Sequence, residues 1–260
     1  GEETSLLESL EGKPGQPRVK PPFPAVSGAF GQPTIVNNTE TIACVPVILE
    51  QGADAFNALG TPGDEEAKVR AQGGTKLVGI SGHVKNPGMF EVTLGTTMRE
   101  CIYDLAGGIL DDRELLCVIP GGASCPLVMP ADIDVAMDFD SLRSVGSMLG
   151  TAGVVVMHDG TDILEMMRRI AAFYQHESCG QCTPCRQGTG WLLAIVNMMC
   201  DGTATEGHVE MLYSAASNIE GNTICAFGDA AAWPIKSFLE KFPDEIRAEI
   251  AIRREQSAQV

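Results

Sequence analysis

Glu177-Ser178-Cys179-Gly180-Gln181-Cys182-Thr183-Pro184-Cys185-Arg186 places three thiols at a spacing of three in a loop that carries glycine and proline. A further candidate, Cys225, follows in Asn222-Thr223-Ile224-Cys225-Ala226-Phe227-Gly228-Asp229. Three close cysteines can wrap three corners of a cubane four-iron (4Fe-4S) cluster, and one distant cysteine can close the fourth. Zinc also takes four thiolates, but commonly between two separate C-x-x-C knuckles, and this run has one thiol too many for a single knuckle. Cys200 is the rival for the fourth position. It ends the apolar run Trp191 to Met199 and reads better as a small buried hydrophobe, whereas Cys225 sits in a polar turn open to a metal.

The sequence on both sides of this loop is helical in texture. Ile163, Leu164, Met167, Ile170 and Phe173 mark one face of a helix that delivers His176-Glu177 to the cysteines. A second helix is expected over 188–200 and a third over 205–219, the latter with Val209, Leu212 and Ala216 on one side. A fourth begins near Asp229, passes Trp233-Pro234 and ends at Phe242, and Pro243-Asp244 opens a last polar helix. These make a four-helix bundle over 161–260, with both cysteine-bearing connections at one end. Arg186 is either a partner for negative charge on the thiolates or an ordinary cation at a helix start.

Upstream the period changes to that of strands. Lys76 to Val84 reads as a strand, Asn86-Pro87-Gly88 as a turn and Met89-Phe90-Glu91-Val92 as the return strand. Thr96-Thr97-Met98-Arg99-Glu100 opens a helix with a capping-box pattern that ends at Ala106-Gly107-Gly108. Leu115 to Ile119 is another strand, stopped by Pro120-Gly121-Gly122. Hairpin, helix and strand describe a small β-grasp unit, in which Cys101 and Cys117 are core residues and His83 is a surface or turn residue. In the connecting segment after it, Val154 to Met157 is a short buried strand, and 137–140 and 146–150 are loops. Asp132, Asp134, Asp138 and Asp140 alternate as calcium ligands can, but the glycine and glutamate of an EF-hand loop are missing, so they are read as solvated.

The first 72 residues are less regular. A short helix stops at Gly12, and its Glu2, Glu3 and Glu8 read as a solvated helix start. A Pro-rich connector runs to Lys20-Pro21-Pro22-Phe23-Pro24, where Phe23 reads as a loop anchor. Asn37 or Asn38 is a candidate N-cap for a helix from Thr39 to Leu49. Residues 60–75 form a linker rich in glycine and acidic residues.

Composition bounds the function. The 260 residues call for two or three domains, and a hydrophobic fraction of 44% supplies their cores. Thirty-four acidic against eighteen basic residues give −16, which excludes a nucleic-acid binder that works through a basic surface. Nine cysteines with a close triplet fit metal ligation in a reducing compartment, not a disulfide scaffold. No apolar run approaches the roughly eighteen residues of a membrane span, so direct membrane insertion is not expected.

The cysteine run, together with Thr223-Ile224-Cys225-Ala226-Phe227-Gly228-Asp229-Ala230-Ala231-Ala232-Trp233-Pro234, resembles the flavin- and NADH-binding (51 kDa-type) subunits of respiratory complex I, NADH:quinone oxidoreductase. Gly1-Glu2-Glu3-Thr4, Lys20-Pro21-Pro22-Phe23-Pro24 and Pro33-Thr34-Ile35-Val36-Asn37-Asn38-Thr39-Glu40-Thr41 resemble the same family in the same order. The resemblance implies an α+β multidomain chain. Residues 1–72 would be the remainder of an α/β flavin and NADH domain, 73–160 the ubiquitin-like (SLBB-type) domain and its connector, and 161–260 the bundle. It implies a 4Fe-4S cluster on Cys179, Cys182, Cys185 and Cys225. Glu3, Lys20 and Phe23 match positions that line the nicotinamide nucleotide pocket, and Asn37 and Asn38 match positions near flavin mononucleotide (FMN). The implied chemistry is hydride transfer from NADH to FMN and single electrons onward to the cluster.

Implied partners are the other peripheral-arm subunits, a 2Fe-2S (24 kDa-type) subunit among them. The implied location is peripheral, on the cytoplasmic face of a bacterial inner membrane or the mitochondrial matrix side. The family's Gly-rich phosphate loop precedes the position matched by Gly1 and is absent here, as is any G-x-G-x-x-G fingerprint, so the chain is expected to be part of a longer protein with only a partial FMN site. Two other readings share the cysteine motif: the diaphorase subunit of an NAD-linked hydrogenase or formate dehydrogenase, and a metal-stabilised scaffold with no redox role.

Overall fold

The computed structural model describes residues 1–63 and 70–258. They form two compact units, one of Gly1–Asn38 with Asp162–Val260 and one of Thr39–Thr161. The chain opens with α1 (Glu3–Leu10), which buries Thr4 and Leu7. The Glu2 carboxylate caps it by accepting from the Thr4 amide. Glu2 and Glu3 are not simply solvated as expected, because Lys20 Nζ lies 3.0 Å from Glu2 Oε1 and 2.6 Å from Glu3 Oε1.

The second unit begins with α2 (Thr39–Gln51) and α3 (Ala53–Asn57). No residue of α2 is buried, and Ile42, Val45, Val47 and Leu49 are all exposed. Of the expected linker over 60–75, residues 64–69 lie outside the described residues, while Thr61 and Gln72 pair through two reciprocal backbone hydrogen bonds. The β-grasp expectation meets a four-stranded sheet of β1 (Thr75–Gly82), β2 (Gly88–Thr93), β3 (Leu115–Ile119) and β4 (Gly153–His158), in the order β2-β1-β4-β3. β1 pairs antiparallel with β2 and parallel with β4, and β4 pairs antiparallel with β3. The strand read as part of a connector is therefore central to the sheet. Its run Val154 to Met157 suits a strand covered on both faces.

The helix expected from Thr96 is shorter and wider than an α-helix, a π-helical turn over Glu100–Leu105. Its capping box is present. The Thr97 amide donates to Glu100 Oε2 at 2.7 Å, and the Glu100 amide donates to Thr97 Oγ1 at 3.2 Å. Cys101, Ile102, Met98 and Val78 are fully buried with Val118 and Val154 in one core. Cys117 is buried as expected, and burial pushes its thiol up to about 12.

Two expectations fail here. Asp138 is buried, not solvated. It caps α4 (Phe139–Ser144), accepting from the Ser141 amide at 2.7 Å and from the Thr61 hydroxyl at 3.0 Å, so part of the expected 137–140 loop is a helix start. His83 is not a simple surface residue either. Its ring stacks on the buried His158 ring at a centroid distance of 3.8 Å.

Burial first, then the charges of His158 and Arg113, lower the His83 pKa below 6.5, with Asp159 holding Arg113 at 2.7 Å. The unfolded chain thus takes up this proton at higher pH than the folded one. The stability contribution is complete above about 6.5 and is lost as pH falls through the lowered folded value. Thermal melts are expected to show the second unit weakening on acidification below pH 6.5, with a flatter profile in His83→Asn.

The first unit resumes with five helices: α5 (Ile163–Glu177), α6 (Thr183–Cys200), α7 (Gly207–Ile219), α8 (Phe227–Lys241) and α9 (Pro243–Ser257). α5 packs on α6, α6 on α7, α7 on α8, and α8 back on α5, which closes an up-and-down four-helix bundle to which α9 is added. The core holds Leu164, Met167, Leu192, Val196, Leu212 and Phe238. Phe173, expected on the buried face, is 52% exposed, and Tyr174 is buried instead, edge-on to Phe227 at 5.3 Å. At the α6–α7 seam, a Cβ on Gly188 would stand 2.6 Å from Ile219 Cγ1, so the seam requires glycine there.

Candidate metal centre and nucleotide cleft

In an up-and-down bundle, the α5–α6 and α7–α8 connections fall at the same end. The first carries Cys179 and Cys182, and the second carries Cys225. Cys185 is not in the loop, as expected, but in the first turn of α6. That helix starts at Thr183 because Pro184 suits the first turn, where no amide partner is needed. Cys179 is exposed, Cys182 and Cys225 are half-buried, and Cys185 is buried. Cys200 lies fifteen residues along α6 from Cys185, or about 22 Å at 1.5 Å per residue, so it cannot join the other thiols.

The loop is held by its own hydrogen bonds. The Arg186 guanidinium donates to the Gly180 carbonyl at 2.7 Å and to the Gln181 carbonyl at 3.3 Å, which folds the loop back over the helix start. Ser178 Oγ lies 3.2 Å from Cys185 Sγ. The buried Thr189 hydroxyl donates to the Cys185 carbonyl at 2.8 Å, and the Thr223 hydroxyl donates to the Cys225 carbonyl at 2.8 Å. Arg186 therefore shapes the loop through carbonyls.

Burial raises the Cys185 pKa. The Ser178 hydrogen bond opposes this, and the thiols of Cys182, Cys225 and Cys179 add to it. Burial also raises that of Cys225, against the Phe227 amide, with Glu2, Cys179 and Cys182 adding to the rise. These two thiols keep their protons until a cation competes for the sulfur, so metal loading must release protons. Among the described residues, no group of three or more His, Cys, Asp or Glu side chains is arranged to hold a metal ion. A single zinc with sulfur at about 2.3 Å would draw four thiols to roughly 3.8 Å of each other. A cubane binds each thiolate to a different iron and spreads them wider. The four candidates are all cysteines, a donor set that fits a cubane.

The other expected site residues gather elsewhere in the same unit. Glu3, Phe23, Asn37 and Asn38 line one cleft of about 660 Å³, together with Glu2, Leu6 and Thr34. Lys20, the fifth, bonds to Glu2 and Glu3 on its wall. Arg18, which the sequence pattern does not single out, ties α1 to the 28–32 turn that precedes the cleft residues 34–38. It ion-pairs with Glu8 and with Glu11 (2.6 Å), and it donates to the Gly28 carbonyl at 2.9 Å. A Cβ on Gly28 would stand 2.4 Å from Thr34 Cβ, so the turn that brings Thr34 to the cleft requires glycine. No spacing signal marks Arg18, because its partners come from a helix and a turn on either side of it.

Comparison with known proteins places these features in a family. Residues 165–249, which include all four cysteines, match the NADH-ubiquinone oxidoreductase-F iron-sulfur binding region. Residues 77–128, from β1 through β3, match the SLBB domain. The chain is 51% identical over 251 residues to the NADH-quinone oxidoreductase F subunit of Rickettsia typhi, covering 96% of this chain and 58% of that one. It is 49% identical over 252 residues to an NADH-quinone oxidoreductase F subunit of Rhizobium meliloti, covering 96% of this chain and 56% of the relative. The chain belongs to the family of NADH-quinone oxidoreductase F subunits. It spans somewhat more than half the length of these family members. A crystal structure of an NAD+-reducing [NiFe]-hydrogenase in the air-oxidised state has a chain of the same fold, with a TM-score of 0.84 and 33% identity over 95% of this chain and 41% of that one. Among the described residues there is a single sheet and many helices, and no described helix is long and apolar enough to cross a membrane.

Proposed function

We propose that the chain is part of the electron-input subunit of an NADH-quinone oxidoreductase, with NADH and FMN at the 660 Å³ cleft and a 4Fe-4S cluster on Cys179, Cys182, Cys185 and Cys225. The observation that supports this reading is the placement of Cys179 and Cys182 before α6, Cys185 in its first turn and Cys225 before α8, all at one end of a bundle. A bound flavin takes two electrons as hydride and releases them singly. Glu3 and Lys20 present opposite charges to a nucleotide's hydroxyl and phosphate groups, and Phe23, 58% exposed, offers a ring face for stacking. The amides of Asn37 and Asn38 supply donors and acceptors at the cleft wall. Thr189 and Arg186 fix the cysteine loop.

In this reading residues 1–72 belong to the FMN and NADH domain, 73–160 to the SLBB-type domain with its connector, and 161–260 to the cluster domain. The protein works with the other peripheral-arm subunits, including a 2Fe-2S (24 kDa-type) one, on the cytoplasmic or matrix side of the membrane. The hydrogenase likeness supports a second reading, a diaphorase subunit of an NAD-linked hydrogenase or formate dehydrogenase. Co-purification separates the two, since a [NiFe] subunit or a formate dehydrogenase subunit among the partners would overturn the first.

Electron paramagnetic resonance (EPR) on the anaerobic full-length protein in its assembly, before and after NADH, tests the electron-input role. A reduced four-iron signal with NADH is expected. Stoichiometric zinc and no signal would leave only a metal-stabilised scaffold. Phe23→Ala is expected to raise the KM for NADH roughly tenfold, the scale of losing one base-stacking contact, while the dithionite-reduced signal stays unchanged.

A further inference from the structure

The connector Gln16-Pro17-Arg18-Val19-Lys20 follows α1 and belongs to no helix or strand. Pro17 is buried, Val19 is exposed, and Gln16, Arg18 and Lys20 are half-buried. Each of these three side chains bonds to a different part of the first unit. Lys20 holds Glu2 and Glu3 on the cleft wall at 3.0 and 2.6 Å. Arg18 holds α1 through Glu8 and Glu11, and the 28–32 turn through the Gly28 carbonyl. Its amide also donates to Thr4 Oγ1 at 2.9 Å, and Thr4 bonds to Glu2. Gln16 reaches the other way, its Nε2 donating to the Cys179 carbonyl at 3.3 Å.

We propose that segment 16–20 is a strut through which occupancy of the cleft is felt at the cysteine loop, with Gln16 as the positioning residue at the cluster end. The proposal rests on the reading of the cleft and cysteines given above. A nucleotide that engages Glu3 or Lys20 acts on one end of this short segment. The segment has little freedom to absorb a shift, since Arg18 anchors its middle at four points and Pro17 fixes one backbone dihedral. The remaining outlet is the Gln16 amide, which bears on the carbonyl of an exposed cysteine residue. Hydrogen bonding and geometry around the sulfur ligands are what set a cluster's spectroscopic and redox character.

The test uses the full-length protein in its natural assembly. The cluster is reduced chemically and its EPR spectrum is recorded with and without saturating ADP-ribose, a nucleotide that carries no nicotinamide and cannot deliver hydride. A change in g-values on adding ADP-ribose is expected in the wild type and in Gln16→Lys, which keeps a donor. In Gln16→Leu the change is expected to vanish while ADP-ribose affinity stays within about twofold. Persistence of the change in Gln16→Leu overturns the proposal, as does no change in a wild type that binds ADP-ribose. Loss of ADP-ribose binding in Gln16→Leu also overturns it, since the bond would then serve only the fold of the cleft. A wild type with no cluster signal, or no affinity for ADP-ribose, would instead sink the functional reading beneath it.

Discussion

Cys225→Ser is expected to remove the four-iron signal and most of the iron from the full-length protein, and with them the NADH-dependent reduction of any downstream acceptor. The three thiols of the α5–α6 connection and the first turn of α6 can hold three corners of a cubane, but the fourth corner must come from the α7–α8 connection, and there Cys225 is the candidate. The hydroxyl of serine is a harder and less acidic ligand than a thiol, so it does not replace the thiolate. The loss should extend to the fold. A metal group that joins two connections contributes its binding energy to folding. Here the bundle already has its own core, with Leu164, Leu192 and Phe238 fully buried or nearly so, so the cost is a fraction of that in a small zinc domain. A loss of about 3 kcal/mol would lower the melting temperature of the helical unit by about 10 °C. Cys200→Ser is the matched control. At the far end of α6 it should leave iron content and signal unchanged. Equal iron loss in both variants would show that the assignment of the fourth ligand is wrong.

Gly82→Ala is expected to destabilise the second unit by roughly 3–5 kcal/mol, a large fraction of the about 5–15 kcal/mol that holds a typical domain folded. Two costs combine at this position. Gly82 has φ +83, a conformation that costs a residue with a Cβ about 1 kcal/mol. A Cβ there would also lie 2.3 Å from the Val156 carbonyl oxygen, which accepts the His83 amide at 2.8 Å in the parallel pairing of β1 with β4. The carbonyl cannot move aside without breaking that pairing. Gly146→Ala isolates the first cost. Gly146 has φ +76 but nothing within 4 Å of an added Cβ, so only about 1 kcal/mol is expected. Chemical denaturation of both variants, followed by hydrogen exchange on β1 and β4, checks the difference. Similar values for the two would mean that the β1–β4 approach is not as tight as the contact implies.

The parts of this protein legible in its sequence are those where one residue type at one spacing has one common cause. The C-x-x-C-x-x-C run, the Thr97–Glu100 capping box and the hairpin around Asn86-Pro87-Gly88 are of that kind. Features that depend on a partner distant in sequence are not legible. Val154 to Met157 is visible as a strand, but nothing local says that it lies between β1 and β3. Asp138 looks like one acid among four, because its partners Thr61 and Gln72 come from another segment. The sequence pattern starts α6 five residues late, at Gly188, since the cysteine run through Cys185 reads as loop, whereas the helix begins at Thr183 and Gly188 lies inside it, its missing side chain making room for Ile219. Phe173 and Tyr174 are neighbours that differ by one step of helical phase, and the ring of Phe227 selects the second. The cleft residues carry no signal of their own, and the resemblance alone points to them. Their common cleft is an observation of the fold.

The up-and-down order of the bundle also decides which helix ends meet the thiols. α6 starts at Thr183, just after Cys182, and α8 starts at Phe227, two residues beyond Cys225. Both helices therefore point their N-terminal ends, each equivalent to about half a positive charge, toward the same thiols. In a chain of net charge −16, whose cleft wall already carries Glu2 and Glu3, four thiolates would otherwise add to a strongly negative region. The two macrodipoles offset that charge with fixed backbone, at no cost in side chains and independent of pH. They favour the more negative of any two charge states at the thiols, so the charge tolerated at this end of the bundle is set partly by the order of its helices.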